Sequence, residues 1–197
     1  MAPSDPHPGS AAARHRRVAG TFTERAGAAG DWDAPTPVAG WAARDVVRHL
    51  VEWFPSFLTA GAGIELPSGP PVDDDPAATW RHQASAVQVV LDDPASAGRT
   101  FELVPHIAAT PLPEAIDRFY TSDVFMHTWD LARATAQDDR LDPDECAVLL
   151  GGMEPFEEVM RASGQYGPKV DVAPNADVQT RLLAFIGRDP DWRPPAR

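Results

Sequence analysis

The chain has 197 residues, with 29 acidic side chains against 17 basic, a net charge of -12 at pH 7 and one cysteine. That length suits one domain with a sizeable core and is too short for two ordinary ones. The acidity argues against an electrostatic hold on nucleic acid or an anionic membrane, and a lone Cys146 makes neither an intramolecular disulfide nor a cysteine-rich zinc site, so a reducing cytoplasm is the expected compartment.

The first segment, MAPSDPHPGS, is rich in Pro and Gly, has no basic-then-apolar signal pattern, and is expected to be disordered over residues 1–10. Residues 11–197 are expected to form a single domain. From Ala11 to about Ala29, Val18, Phe22 and Arg25 recur at helical spacing, which predicts a first helix. The linker GDWDAPTPVAGW follows, where Pro35, Pro37 and Gly40 forbid regular structure and Trp32 and Trp41 are expected to anchor the segment on the core.

A second helix is predicted from about Ala42 to Ala60, with Val46, Leu50, Trp53 and Phe57 as its apolar stripe and Pro55 as a point of kinking. After a Gly- and Pro-rich loop, the acids Asp73 to Asp75 before Pro76 suit a helix N-terminus, and a third helix is predicted to about Leu91. Between Asp92 and Pro113 the pattern breaks into FELV and HIAA, readable as two short strands or as one long loop. A fourth helix is predicted over Leu112–Ala134, a fifth over Pro143–Ala162, and a last short one over Asn175–Ile186, stopped by Gly187. No stretch offers the roughly 18 uncharged apolar residues of a membrane span. The result is an all-α chain with four long helices in a bundle.

Chemistry concentrates in DVFMHTWDLARA. At about 100 degrees per residue, Leu112, Ile116, Phe119, Asp123, His127, Asp130 and Ala134 fall within a sector of roughly 80 degrees, so three polar side chains interrupt an apolar stripe. The opposite side, with Val124, Phe125, Thr128, Trp129 and Ala132, is also largely apolar, and such a helix is usually buried on most sides. A buried carboxylate costs several kcal/mol unless it is protonated, paired or bound to a cation. Asp123 and His127 stand four apart and reach one point beside the helix. His49 in DVVRHLVEW lies on the flank of the second helix's stripe and can face the same interior. Together the three would suit a divalent ion such as Zn, Ni, Fe or Mn with open coordination positions, and Asp130 would stand behind them, orienting a ligand or a bound water. A satisfied Asp–His–Asp hydrogen-bonded network with His49 packed elsewhere explains the same spacing, and periodicity does not choose between the two.

Other candidates carry less. Cys146 sits near a helix start but reads as a packing residue; His15, His82 and His106 have no acidic partner at helical spacing; Arg181 suits a surface ion pair; Trp53 and Trp129 flank the Asp123–His127 pair and read either as pocket walls or as core.

Three blocks in order, WAARDVVRHLVEW, DVFMHTWDLARATAQ and RLLAFIGRDPDW, resemble the signature blocks of the actinobacterial DinB/YfiT-like metal-binding family, related to the N-terminal domain of mycothiol-dependent maleylpyruvate isomerase. The similarity runs from about Ala11 onward. It implies a DinB-like four-helix bundle of up-down-down-up topology with short extra elements, in which His49, Asp123 and His127 hold a divalent metal, Zn or Ni foremost. It also implies a low-molecular-weight thiol such as mycothiol as cosubstrate, in S-transfer or isomerisation of a small electrophile. The partners expected are thus a small-molecule substrate and a thiol, with no nucleic acid and no membrane, and a homodimer is compatible with the bundle. Two departures stand out: the isomerase group commonly has Glu where this chain has the shorter Asp123, and the isomerase carries a C-terminal domain for which this chain is too short. The rival reading is a non-catalytic protein whose metal, or polar network alone, stabilises a bundle that works by association.

Overall fold

The computed structural model describes residues 9–102 and 109–195. Ser10 opens the first helix, α1 (Ala11–Gly27), its hydroxyl accepting the Ala13 N–H at 3.2 Å. Most of the segment expected to be disordered, residues 1–8, lies outside the described residues, as do His106 and most of FELV and HIAA.

The linker after α1 is tied down by its own backbone, with the Ala43 N–H donating to the Ala34 carbonyl and the Arg44 N–H to that of Trp32. Trp32 and Trp41 pack against the core as expected. α2 (Ala43–Ala62) continues through Pro55 without interruption and ends at Gly63, whose φ of 63° supplies the left-handed cap. Its buried stripe is Val46, Val47, Leu50, Phe54 and Leu58; Trp53 and Phe57, expected in that stripe, are half-buried at its edge. α3 (Pro76–Asp92) starts where the acid run predicts, the Asp75 carboxylate accepting the Ala78 N–H at 2.8 Å.

A 3-10 turn (Pro94–Gly98) leads to a two-stranded antiparallel ribbon, β1 (Thr100–Phe101) and β2 (Thr110–Pro111), with Thr100 opposite Pro111. The next rod is continuous but not uniformly α: α4 (Leu112–Ala115), a π-helical turn (Ile116–Thr121) and α5 (Ser122–Ala134). The π turn holds one residue more than an α turn, and its mark is the Ser122 N–H donating to the Asp117 carbonyl, five residues back. Downstream, α6 (Pro143–Met153), a 3-10 turn (Glu154–Phe156) and α7 (Glu157–Ala162) replace the single helix expected there, and α8 (Val178–Phe185) closes the chain. The break falls at Pro155, whose ring has no N–H to return to the carbonyl of Gly151.

Four rods make the bundle. α1 packs on α3 and α5, and α2 packs on the same two. Directions follow from side-chain partners. On α3, Gln88 meets His15 and Trp80 meets Thr23, so α1 and α3 are antiparallel. Arg14 reaches Asp117 while the Gln137 amide, just past α5, reaches the Arg25 carbonyl, so α1 and the fourth rod are parallel. Along α2, His49 meets Asp123 and Phe57 meets Phe119, so those two are antiparallel. The topology is therefore up-down-down-up. Between the rods lie Phe22, Leu50, Phe54, Trp80, Tyr120 and Trp129, all fully buried. α6 and α8 pack on each other, and Glu145 of α6 binds Arg14 and Arg17 of α1 at 2.7 Å. Among the described residues no helix is long and apolar enough to cross a membrane.

Candidate metal centre

α2 and α5 run antiparallel, so a side chain midway along each can meet its counterpart. His49 Nε2 lies 3.0 Å from Asp123 Oδ2, and His127 Nε2 lies 3.5 Å from Asp123 Oδ1. Among the described residues this is the one group of three His, Cys, Asp or Glu side chains with ligand atoms all within 4.8 Å of one another. Donors around a tetrahedral Zn stand roughly 3.4 Å apart at ordinary bond lengths, and the two carboxylate distances bracket that value. The arrangement could hold a metal ion.

The acids are served differently. The Asp123 carboxylate also accepts the Trp53 indole N–H at 3.0 Å and is 18 % exposed, and His49 is 32 % exposed, so the mouth of the centre opens on the α2 side. Solvent therefore reaches both, although the apolar surroundings of the Asp123 helix pointed to burial on most sides. Asp130 is wholly buried, and its charge is answered by the protein: it accepts from His127 Nδ1 at 2.9 Å, while the Arg188 guanidinium donates through Nε to Oδ1 at 2.9 Å and through Nη2 to Oδ2 at 3.0 Å. Burial works to raise the Asp130 carboxyl's pKa, but the His127 hydrogen bond and the Arg188 charge outweigh it and hold the group below the ordinary carboxylate range. Asp130 thus stands behind His127, as the spacing led one to expect.

Aromatic side chains wall the centre. Trp41 lies over both imidazoles, its ring centroid 5.2 Å from His49 and 5.7 Å, nearly parallel, from His127. Tyr166, on the loop after α7, is close enough to feel the site: burial and the Asp123 charge raise its phenol's pKa against the opposing pull of Arg188. Two cavities of about 250 and 270 Å³ lie elsewhere, one between α1, Phe125 and Leu141, the other under the loop Leu66–Val72.

The remaining candidates fall away from the centre. Cys146 is fully buried, and desolvation with nearby Asp142 pushes its thiol up to about 12. His15 is buried against Gln88, His82 bonds the Pro67 carbonyl, and Arg181 faces Glu154 at 3.7 Å on the surface. Trp129 is core; Trp53 is a site residue. Sequence reasoning missed Trp41 as a wall, the polar use of the Trp53 indole, and Arg188. A signal for Arg188 existed: a buried Asp130 demands a cation, and Arg188 directly follows the helix-stopping Gly187.

The family profile described as "Mycothiol maleylpyruvate isomerase N-terminal domain" matches residues 11–132. The chain belongs to that family. All of His49, Asp123, His127 and Asp130 lie within the match, whereas Arg188 and Tyr166 lie outside it. Two relatives, uncharacterised proteins of Mycobacterium tuberculosis strains CDC 1551 and H37Rv, are each 31 % identical over 164 residues, covering 78 % of this chain and 83 % of their own length. No solved structure matches.

Proposed function

We propose that the protein is a metal-dependent enzyme in which His49, Asp123 and His127 hold a divalent ion, Zn or Ni, and a low-molecular-weight thiol of the mycothiol type is used in S-transfer to, or isomerisation of, a small electrophile. The observation that carries this reading is the meeting of three ligand atoms from two helices at a point left open on the His49 side. The family's own name, which couples mycothiol to an isomerase, supports the thiol.

When bound, such an ion would lower the pKa of a coordinated thiol or water and so supply a nucleophile at neutral pH. The chain's residues do the rest. Asp130 orients the His127 ring, the Trp53 N–H fixes one oxygen of Asp123, and Trp41 shields both imidazoles from water on one side. Cys146 is too buried, and its thiol too weakly acidic, to be the nucleophile; the sulfur comes from solution.

One observation favours a second, non-catalytic reading: the donors already bond one another and Trp53, so the network is satisfied by protein groups alone. Metal analysis of untagged protein beside the double variant His49→Ala/His127→Ala separates them. About one ion per chain in the parent, lost in the folded variant, followed by turnover of an electrophile panel with mycothiol, is the result expected of the enzyme. Equal metal content in both proteins removes the ligand assignment, and no turnover with any of several thiols hands the case to the non-catalytic reading.

A further inference from the structure

The chain beyond the family match is not a passive extension. Its last helix ends in a Schellman turn: the Gly187 N–H donates to the Ala184 carbonyl and the Arg188 N–H to that of Leu183 at 2.8 Å, with Gly187 at φ 82°. Both hydrogen bonds fix the backbone of Arg188 in place. The turn is held from outside as well, because Arg161 of α7 donates to the Phe185 and Gly167 carbonyls, and Gly167 packs so closely on Gly187 that a Cβ there would come within 2.8 Å of its backbone. From this mount the guanidinium reaches Asp130 with two separate nitrogens.

We infer that Arg188 is a positioning residue for the metal centre: by holding both oxygens of Asp130 it makes that carboxylate a fixed acceptor for the His127 Nδ1–H, so that the Nε2 lone pair points at Asp123 and His49. A neutral imidazole has one N–H, and the atom that keeps it is set by the better acceptor. Asp130 offers Oδ2 at 2.9 Å from Nδ1, with the ring's other nitrogen 3.5 Å from Asp123. Without the fork, Asp130 is free to rotate away from Nδ1, and Asp123 competes for the proton at Nε2. An Nε2–H imidazole cannot ligate through that atom. The C-terminal helices α6–α8 therefore take part in forming the centre even though none of their side chains is one of its three donors.

The ligand role of His127 rests on the function proposed above, so the test is arranged to tell the two failures apart. In metal-free protein, nitrogen-15 chemical shifts of the His127 ring read the tautomer directly, with or without any ion. The expected result is Nδ1–H in the parent, a shift of population toward Nε2–H in Arg188→Gln, and a smaller shift in Arg188→Lys, which keeps the charge but loses the two-nitrogen fork. Cobalt(II) titration followed by its visible absorption should then show affinity falling about 10- to 100-fold in Arg188→Gln, with Arg188→Lys between it and the parent. A purely structural role would lower the melting temperature and leave the tautomer alone; an unchanged tautomer in Arg188→Gln overturns the inference. If that variant does not fold, Arg188→Lys carries the test, and an affinity equal to the parent's overturns it. A parent that keeps Nδ1–H yet binds no cobalt, zinc or nickel sinks the metal reading and leaves the Arg188 effect on the ring standing.

Discussion

His49 and His127 stand on antiparallel helices with their ring centroids 4.8 Å apart, and one carboxylate, Asp123, reaches both. Bringing them together needs α2 and α5 docked in register, so an ion binding there would bind the folded chain and not the unfolded one. At an ion concentration 100 times the dissociation constant, such binding adds about 2.7 kcal/mol, or about 5–10 °C in melting temperature for a chain of this size. Scanning fluorimetry with Zn and Ni should show that rise in the parent, its reversal by chelator, and no rise in His49→Ala/His127→Ala.

The π turn decides which aromatic side chain enters the core. An unbroken α period places Phe119 on the stripe with Ile116 and Asp123; with one extra residue in the turn, Tyr120 takes the buried place and Phe119 is left 38 % exposed. Tyr120→Ala should cost about 3–5 kcal/mol, and Phe119→Ala about 1 kcal/mol or less. Chemical denaturation measures both, and the reverse order would mean that the rod is a plain α-helix.

That misplacement marks the boundary of what the sequence makes legible. Most helix positions were readable because they rest on local signals: the acids up to Asp75, the stop at Gly187, and the spacing of Val18, Phe22, Val46 and Leu50; the cap at Ser10 and the break after Met153 were not read. His49, Asp123 and His127 could be brought to one place because each sits on a helix face that periodicity assigns. What local patterns do not carry is a change of helical period, as at Tyr120, or a partner far along the chain. Arg188 lies 58 positions from Asp130, and Trp41 reaches His127 only because the Ala34–Ala43 backbone contact folds the linker back.

His15 gives the fold a dependence on acidity. It is buried on α1 with Nδ1 2.9 Å from the Gln88 amide oxygen, and desolvation holds its pKa below the ordinary 6.5, against the smaller upward pull of Gln88 and Asp117. As pH falls below 6.5 the unfolded chain takes up a proton that the folded chain refuses, so stability is full above that value and declines on acidification until the lower, folded pKa is reached. Urea melts between pH 7.5 and 5 should show the decline, and His15→Gln should flatten it; an identical slope in that variant would assign the effect to other groups.

Gly187 is constrained twice over. Its φ of 82° lies where an L side chain costs about 1–2 kcal/mol, and a Cβ would meet the Gly167 backbone at 2.8 Å, a clash that backbone on both sides leaves little room to relieve. Gly187→Ala should therefore destabilise by more than the conformational cost alone. The local consequence matters more than the global one, because the turn that strains is the one presenting Arg188 to Asp130. Gly63 makes a useful comparison: it has φ 63° but open space around its Cβ position, and it caps α2 away from Arg188. Gly63→Ala should thus cost only the conformational part and leave cobalt affinity at the parent's value, whereas Gly187→Ala should lose stability and affinity together. Melts and cobalt titrations of the pair decide it, and equal affinities in the two variants would sever the turn from the centre.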